Sequence, residues 1–495
     1  MASESNTSKL MKGMSSQTLV TLMLGFVEIV SFSIMSRLLT QQDFGYYAAL
    51  SAVMIVFSSL SETGIGSAII QKKKLNKEYV NNAFTLCSLF GFVVSLLMFV
   101  SAGFLANWII DSSMVVPLRL LSLTIFCNSL TSAYVSMLYR ELKFLTVGII
   151  NLVSQIITTS IAIYLAYLGL GYYAIITKTV SSSILVLVIV IIVSKVRFSF
   201  SWNSSIIKSI WGFSSWLMAS VIFRNFSQQA DRLLMSKLLS IDMLGAYNRP
   251  KEFINQISSK INGIFDTTLF PILSGIQDNL ESLQRSYHKS LYLLNILSSI
   301  LTVLFFFNSE LIIRIFFGPT WLNLVPVFQI LSLALIFNID GRLSDCYLRA
   351  LGLTKPQFFF RVFETVVKFG GVIVGAIWGI YGVAFAVVFA NCSMIIVKVI
   401  YIANKINIPT IETFRTILQS WEFLIYLVPI AVVSLIYLPH TVVGNMILCL
   451  IIAICLLIQF FAFPQFVGKM YREQVFPKVF RFVSQKVHYN ATKSK

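Results

Sequence analysis

The sequence predicts an all-α polytopic membrane protein of about fourteen transmembrane helices, and three observations predict it. Apolar residues recur in runs of roughly twenty, the length a helix needs to cross about 30 Å of hydrocarbon. Charged residues make up 12% of the 495 and hydrophobic ones 57%, with a mean hydropathy of +0.82. A soluble domain carries about 25% charged residues. The basic residues gather in alternate loops between the runs, as the positive-inside bias of helical membrane proteins requires. Barrel strands, the other way to satisfy backbone groups in lipid, would be shorter and alternating.

The polar opening, Met1–Ser16, carries Lys9 and Lys12 and leads into the first apolar run. That run continues past the length of a signal-peptide core with no A-x-A site, so it reads as a retained helix. The spans are expected near 15–38, 44–66, 82–107, 115–139, 146–168, 171–194, 211–236, 243–269, 287–308, 322–349, 358–378, 380–402, 420–438 and 442–463. The loops between them are short. Lys72–Lys74, Arg140, Lys143, Lys195, Lys208, Arg285, Lys355 and the basic tail share one side, whereas Arg37, Lys237 and Arg314 lie on the other. This bias sets both termini in the cytoplasm and requires an even number of spans.

The chain repeats itself. MSRLLTQQDFGYY at 35–47 recurs as MSKLLSIDMLGAY at 235–247, so that Met35, Gly45 and Tyr47 reappear 200 positions later. LSLTIFCN at 121–128 recurs as LSLALIFN at 331–338, and Gly169, Ala174 and Lys195 reappear as Gly379, Ala384 and Lys405, all at an offset of 210. The repeats imply two six-helix bundles, 1–200 and 201–410, with two further helices at 411–465 and a basic cytoplasmic tail at 466–495. Six is even, so the halves are related by a pseudo-two-fold axis along the membrane normal.

Ionisable residues inside a bilayer are costly and mark sites by default. Span 8 carries Asn248, Glu252, Asn255, Ser259, Asn262 and Asp266 in steps of 3 and 4, one stripe of a helix, widened by Arg249, Lys251, Gln256 and Lys260. A helix lying in the headgroups would look similar, but this one occupies the repeat position of span 2. Span 7 carries Arg224, Gln228, Asp231 and Arg232 on one face; an internal ion pair is the alternative role for Asp231. Span 10 carries Asn338, Arg342, Asp345 and Arg349, with Asp340 and Arg342 close enough to neutralise each other. Glu28 stands alone in span 1, either as an ion site or as partner to an arginine of span 7 or 8.

Arg224, Arg232, Arg249, Lys251, Lys260, Asn255 and Arg342 are thus the candidate cavity residues for an anionic headgroup. Arginine's fork matches phosphate oxygens. Glu28, Asp231, Glu252 and Asp266 are the candidates for a coupling ion.

The net charge of +18 does not point to nucleic acid, because the basic residues form no single aromatic-interleaved patch. The six cysteines form no CxxC pair and the three histidines are scattered, so neither a metal site nor a cofactor is expected. P-loop, G-x-S-x-G and H-E-x-x-H motifs are absent, and the chain does not read as an enzyme.

QQADRLLMSKLLSIDMLGAYNRPKEF (228–253) and TLFPILSGIQDN (268–279) resemble the polysaccharide transporter family of the multidrug/oligosaccharidyl-lipid/polysaccharide exporter superfamily. SRLLTQQDFGYYA (36–48), ETGIGSAIIQ (62–71) and FFGPTWLNLVPVFQILSL (316–333) extend the likeness, which is greatest to its Wzx-type, colanic-acid-exporter-like branch. The resemblance implies a V-shaped, MATE-like transporter in the bacterial inner membrane, opening alternately to each side. It also implies a substrate carried on undecaprenyl diphosphate, a surrounding of membrane lipids, and work beside a polysaccharide polymerase and co-polymerase. It places Arg232 and Arg249 on the cationic inner helices. A multidrug exporter of the same superfamily would want a more acidic, aromatic cavity. A membrane glycan polymerase or ligase would want a large outward loop.

Overall fold

The computed structural model describes residues 2–455, apart from 62–64, 67–68, 70–75, 110, 197, 423, 438–443, 445–446, 449 and 453. Side chains are described from Val20 onward, except at those positions and at 209–220, 262–268, 270–271, 354, 426, 430 and 434–437. The side chains of Asn262 and Asp266, and Cys449, most of the last span and the basic tail, therefore lie outside the described residues.

All the regular secondary structure among the described residues is helical, with no strand among them. The first six long helices are α1 (Ala2–Leu38), α2 (Gln41–Ser61), α3 (Lys77–Ile109), α4 (Val115–Arg140), α5 (Phe144–Tyr167) and α6 (Tyr172–Ser194). Next come α7 (Ser204–Leu238), α8 (Ile241–Gly275), α9 (Leu280–Phe307) and the short α10 (Ser309–Phe316). The chain continues with α11 (Val325–Ser332), α12 (Ala334–Ala350), α13 (Thr354–Gly375), α14 (Gly379–Lys405), α15 (Thr410–Ser420) and α16 (Leu424–Tyr437). Among the described residues, nine segments are long and apolar enough to cross a membrane. One of them, Lys355–Lys405, holds both α13 and α14, folded back on each other so closely that a Cβ on Gly375 would stand 2.5 Å from the Gly382 carbonyl. α7 and α8, at 35 residues each, are also long enough to cross a membrane.

The repeats have a geometric counterpart in the turns. α1 and α7 stop at Leu38 and Leu238, and the next amide closes the last turn alike: Leu39 onto Met35 at 3.0 Å, Leu239 onto Met235 at 2.9 Å. Thr40 then begins α2 with a reciprocal cap. Its hydroxyl accepts from the Asp43 amide at 3.2 Å, and Asp43 Oδ2 accepts from the Thr40 amide at 3.0 Å. Ser240 accepts from the Met243 amide in the same way at 3.3 Å, but Met243 has nothing to return.

The other offset is just as plain. Lys143 N donates to Leu138 O at 2.9 Å across Leu142 (φ 57°), and Leu353 N donates to Leu348 O at 2.8 Å across Gly352 (φ 70°). Both are left-handed helix terminations of one type. Gly169 (φ 80°) and Gly379 (φ 65°) likewise share the left-handed region that glycine adopts most easily.

Contacts divide the chain into two compact units, the first of residues 1–248 with 316–318, the second of 249–315 with 319–495. In the first, α3 packs on α4, α4 on α6, α1 on α5, and α2 lies against α7. Its linker after α6 is bound along the start of α3. The Ser199 amide donates to Asn81 Oδ1 at 3.2 Å, Ser201 to Thr85 Oγ1 at 3.0 Å and Asn203 to Asn82 Oδ1 at 2.6 Å. Asn203 Oδ1 then caps α7 through the amides of Ser205 and Ile206. In the second unit, α9, α12, α14 and α15 enclose a core of Leu283, Tyr287, Leu291, Leu343, Tyr347 and Val399.

Candidate functional site

The expected cationic face of α7 divides between surface and interior. Arg224 and Gln228 are exposed, Arg232 is half-buried and Asp231 is buried. Asp231 Oδ2 accepts from the Tyr247 hydroxyl at 2.7 Å, and its Oδ1 from the Arg232 amide at 3.0 Å. Arg232 Nη1 donates to Gln229 Oε1 at 3.0 Å. Asp231 thus ties α7 to the start of α8, and Tyr247 is the partner that sequence spacing did not suggest.

On α8, Arg249 is buried and holds Glu252 at 3.2 Å, so one candidate cation and one candidate ion site meet directly. Lys251 is half-buried; Asn255, Ser259 and Lys260 are exposed. Phe253, Ile254 and Ser258 turn to the interior. The polar stripe is therefore graded: Asn248 is buried, Glu252 half-buried, and Asn255 and Ser259 exposed. Glu28 is half-buried on α1.

α12 carries the span-10 candidates. Arg342 is half-buried, and no bond joins it to Asp340, whose Oδ1 is buried without a partner. Asn338 Oδ1 accepts from Asn391 Nδ2 of α14 at 3.2 Å. Asp345 is buried in an ion network that the sequence reading missed. Lys398 of α14 bonds its Oδ1 at 2.7 Å and Arg361 of α13 bonds its Oδ2. Arg361 also reaches Glu364 at 3.2 Å, and Lys368 reaches Glu364 at 2.9 Å. Three cations meet two carboxylates, an excess of one positive charge. Lys398 and Asp345 are almost wholly buried, whereas Arg361 keeps 22% of its side chain accessible. Such a cluster is stable only because each carboxylate oxygen finds a donor.

A signal for it existed. Arg361, Glu364, Thr365 and Lys368 follow the same 3 and 4 spacing as the stripe on span 8, and Lys398 is a lone lysine deep in an apolar run. On the other side of the α13–α14 hairpin, Val367, Gly371, Val374, Trp378, Phe385 and Phe389 line an apolar groove of about 660 Å³.

The three cations assigned to the outward side each have an immediate neighbour. Lys237 sits 5.5 Å over the Trp108 ring and Arg314 bonds Glu310 at 2.8 Å. Arg37 lies so close to Gly318 that a Cβ there would be 3.2 Å from Arg37 Cγ. Cys87, Cys127 and Cys346 are buried free thiols, and Cys392 and Cys455 half-buried ones. Among the described residues no group of three His, Cys, Asp or Glu could hold a metal.

Comparison with known proteins agrees with this architecture. The chain is 21% identical over 369 residues to the lipopolysaccharide biosynthesis protein WzxC of Escherichia coli (strain K12), covering 74% of this chain and 75% of that one. It is 23% identical over 358 residues to the succinoglycan biosynthesis transport protein ExoT of Rhizobium meliloti (strain 1021), covering 71% and 72%. In fold it is similar to the lipid II flippase MurJ in its inward closed conformation, with a TM-score of 0.72 at 16% identity, covering 93% of this chain and 99% of that one. It is also similar to an inward-facing MATE transporter, with a TM-score of 0.58 at 15% identity, covering 79% and 94%. The family of polysaccharide biosynthesis proteins matches residues 34–326, more than half of the chain, and this helical membrane protein belongs to it.

Proposed function

We propose that the chain is a flippase that moves undecaprenyl-diphosphate-linked oligosaccharides across the bacterial inner membrane for surface polysaccharide export. The carrying observation is the accessible polar face of α7 and α8. Arg224, Gln228, Asn255, Ser259 and Lys260 are exposed on helices that belong to a membrane protein. Polar side chains in a bilayer need water around them, and a water-filled cationic cavity suits a diphosphate. The relatives' names, which speak of lipopolysaccharide biosynthesis and succinoglycan transport, support the substrate class.

In this reading the six-helix halves 1–200 and 201–410 rock against each other, the recurring turns supporting the two-fold relation. The helices of 411–465 bring the count to fourteen, the tail 466–495 stays cytoplasmic, and the protein transports without catalysing a reaction. Arg224, Arg232, Arg249, Lys251, Lys260, Asn255 and Arg342 contact the anionic and sugar portions; Glu28, Asp231, Glu252 and Asp266 answer those charges or carry a coupling ion. The apolar groove of the α13–α14 hairpin suits a hydrocarbon tail. A polymerase and co-polymerase act on the exported unit.

The test is rescue of surface polysaccharide in a deletion strain. Wild type restores it, whereas Arg224→Ala and Arg249→Ala fail at normal protein levels and Glu252→Gln retains a substantial part. Full rescue by both arginine variants would remove the cavity assignment. Unchanged cytoplasmic levels of lipid-linked oligosaccharide in the deletion strain would remove the flippase reading itself.

A further inference from the structure

The linker between α6 and α7 has no task in the reading above. It reads KVRFSFSWN over 195–203, aromatic at every second position from Phe198 to Trp202. The amides of Ser199, Ser201 and Asn203 are all taken by side chains near the start of α3. Alternate residues turned to one neighbour mark an extended segment. Asn81 Nδ2 and Asn82 Nδ2 donate back to the hydroxyls of Ser199 at 2.6 Å and Ser201 at 3.2 Å. Glu78 Oε1 accepts from Asn203 Nδ2 at 2.7 Å. The segment is thus pinned from Ser199 to Asn203. Phe198 packs inward, its ring 4.5 Å from Phe84 and 4.6 Å from Tyr134. Phe200 reaches Phe84 at 5.9 Å yet is 77% exposed, and Trp202 is 63% exposed.

The depth of the linker follows from α3. That helix has 33 residues and is one of the segments able to cross a membrane. At 1.5 Å per residue it is about 50 Å long, whereas the hydrocarbon is about 30 Å thick. With the helix centred, about 10 Å at each end stands in the headgroup layer. Residues 78–85, which hold the linker, fall within about that first 10 Å. Three lysines lie at the same end. Lys195 opens the linker, Lys208 is in the second turn of α7, and Lys77 begins α3; all three are exposed. Glu78, the acid beside them, is the one bound to Asn203.

We propose that the α6–α7 linker is a docking surface for anionic phospholipid of the surrounding leaflet. Phe200 and Trp202 enter the headgroup layer, and Lys77, Lys195 and Lys208 pair with the lipid phosphates. Tryptophan and other aromatic rings gather at that depth in membrane proteins. Lysines beside the membrane are drawn to anionic lipid, each by enough to matter against thermal energy. A protein partner would need the two rings to face water, and the linker's bonds to α3 hold them at lipid depth instead. The surface lies in the first unit, apart from the polar face of α8, and it does not depend on which substrate the protein carries.

The test is quenching of Trp202 emission in the purified full chain held in phosphatidylcholine nanodiscs. That emission is the difference between wild type and Trp202→Phe, and the quencher is a dibrominated lipid. Brominated phosphatidylglycerol is expected to reach half-quenching at about fivefold lower mole fraction than brominated phosphatidylcholine, the contribution of a single lysine near the surface. The double variant Lys195→Gln/Lys208→Gln is expected to lose that preference, and each single variant to keep part of it. All of these positions are exposed, so folding is not at stake. Equal quenching by the two brominated lipids would leave the rings a plain aromatic belt and overturn the proposal. So would a preference that survives the double variant. Quenching by aqueous iodide and by neither lipid would overturn it as well, and would make the face a site for a protein partner. The readout needs no substrate, so the flippase reading can fail while this surface stands, and the reverse.

Discussion

Gly45 of α2 and Gly245 of α8 cross backbone to backbone. A Cβ on Gly245 would stand 2.7 Å from the Gly45 nitrogen and 1.8 Å from the Gln41 carbonyl oxygen; one on Gly45 would stand 2.0 Å from the Ile241 carbonyl oxygen. The contact is reciprocal, since 41 and 241, like 45 and 245, are repeat positions. Small residues let membrane helices approach this closely, where dispersion replaces the missing hydrophobic drive. Gly45→Val and Gly245→Val must push backbone apart. Each is expected to cost about 1–3 kcal/mol, read as a lower unfolding temperature in detergent, with the alanine variants intermediate. A valine variant as stable as wild type would contradict the crossing.

The paired helix terminations at Leu142 and Gly352 make an asymmetric prediction. Both residues are left-handed, but only glycine takes that conformation without Cβ strain of about 1–2 kcal/mol. Gly352→Leu is expected to destabilise by about that amount. Leu142→Gly, at an exposed position, is expected to be neutral or stabilising. Thermal unfolding of the two variants side by side checks the sign.

Lys398→Met should be among the most damaging single changes in the second unit. Removing one partner of a buried pair costs about 3–5 kcal/mol, because the remaining charge stays buried. Asp345 would keep Arg361, which is shared with Glu364. The double variant Asp345→Asn/Lys398→Met removes both charges and is expected to recover part of the loss. A double-mutant cycle on unfolding temperature that gave simple additivity would show the pair uncoupled.

Orientation can be read directly. In a cysteine-free background, Lys143→Cys should react with a membrane-impermeant thiol reagent only from the cytoplasmic side and Lys237→Cys only from the other. Labelling of both from one side would refute the charge-bias assignment.

Helix positions, their breaks and the repeat were legible in the sequence because each is local or periodic. Expected spans at 146–168 and 171–194 match Phe144–Tyr167 and Tyr172–Ser194, and the stop after Leu38 recurs at Leu238. The 3 and 4 spacing on α8 set the residues on one helix face, but not their surroundings, since Asn248 is buried and Asn255 and Ser259 are exposed. Which groups meet was not legible. Lys398 and Asp345 stand 53 positions apart, and Asp231 takes the hydroxyl of Tyr247 across a helix break. Asp340 and Arg342 look like a pair in the sequence, yet the 100° turn per residue sends them to different surroundings. Spacing sets the direction of a side chain relative to its own helix. Only the rotation and docking of that helix against its neighbours decides whether the charge it carries meets a partner, an ion or open space.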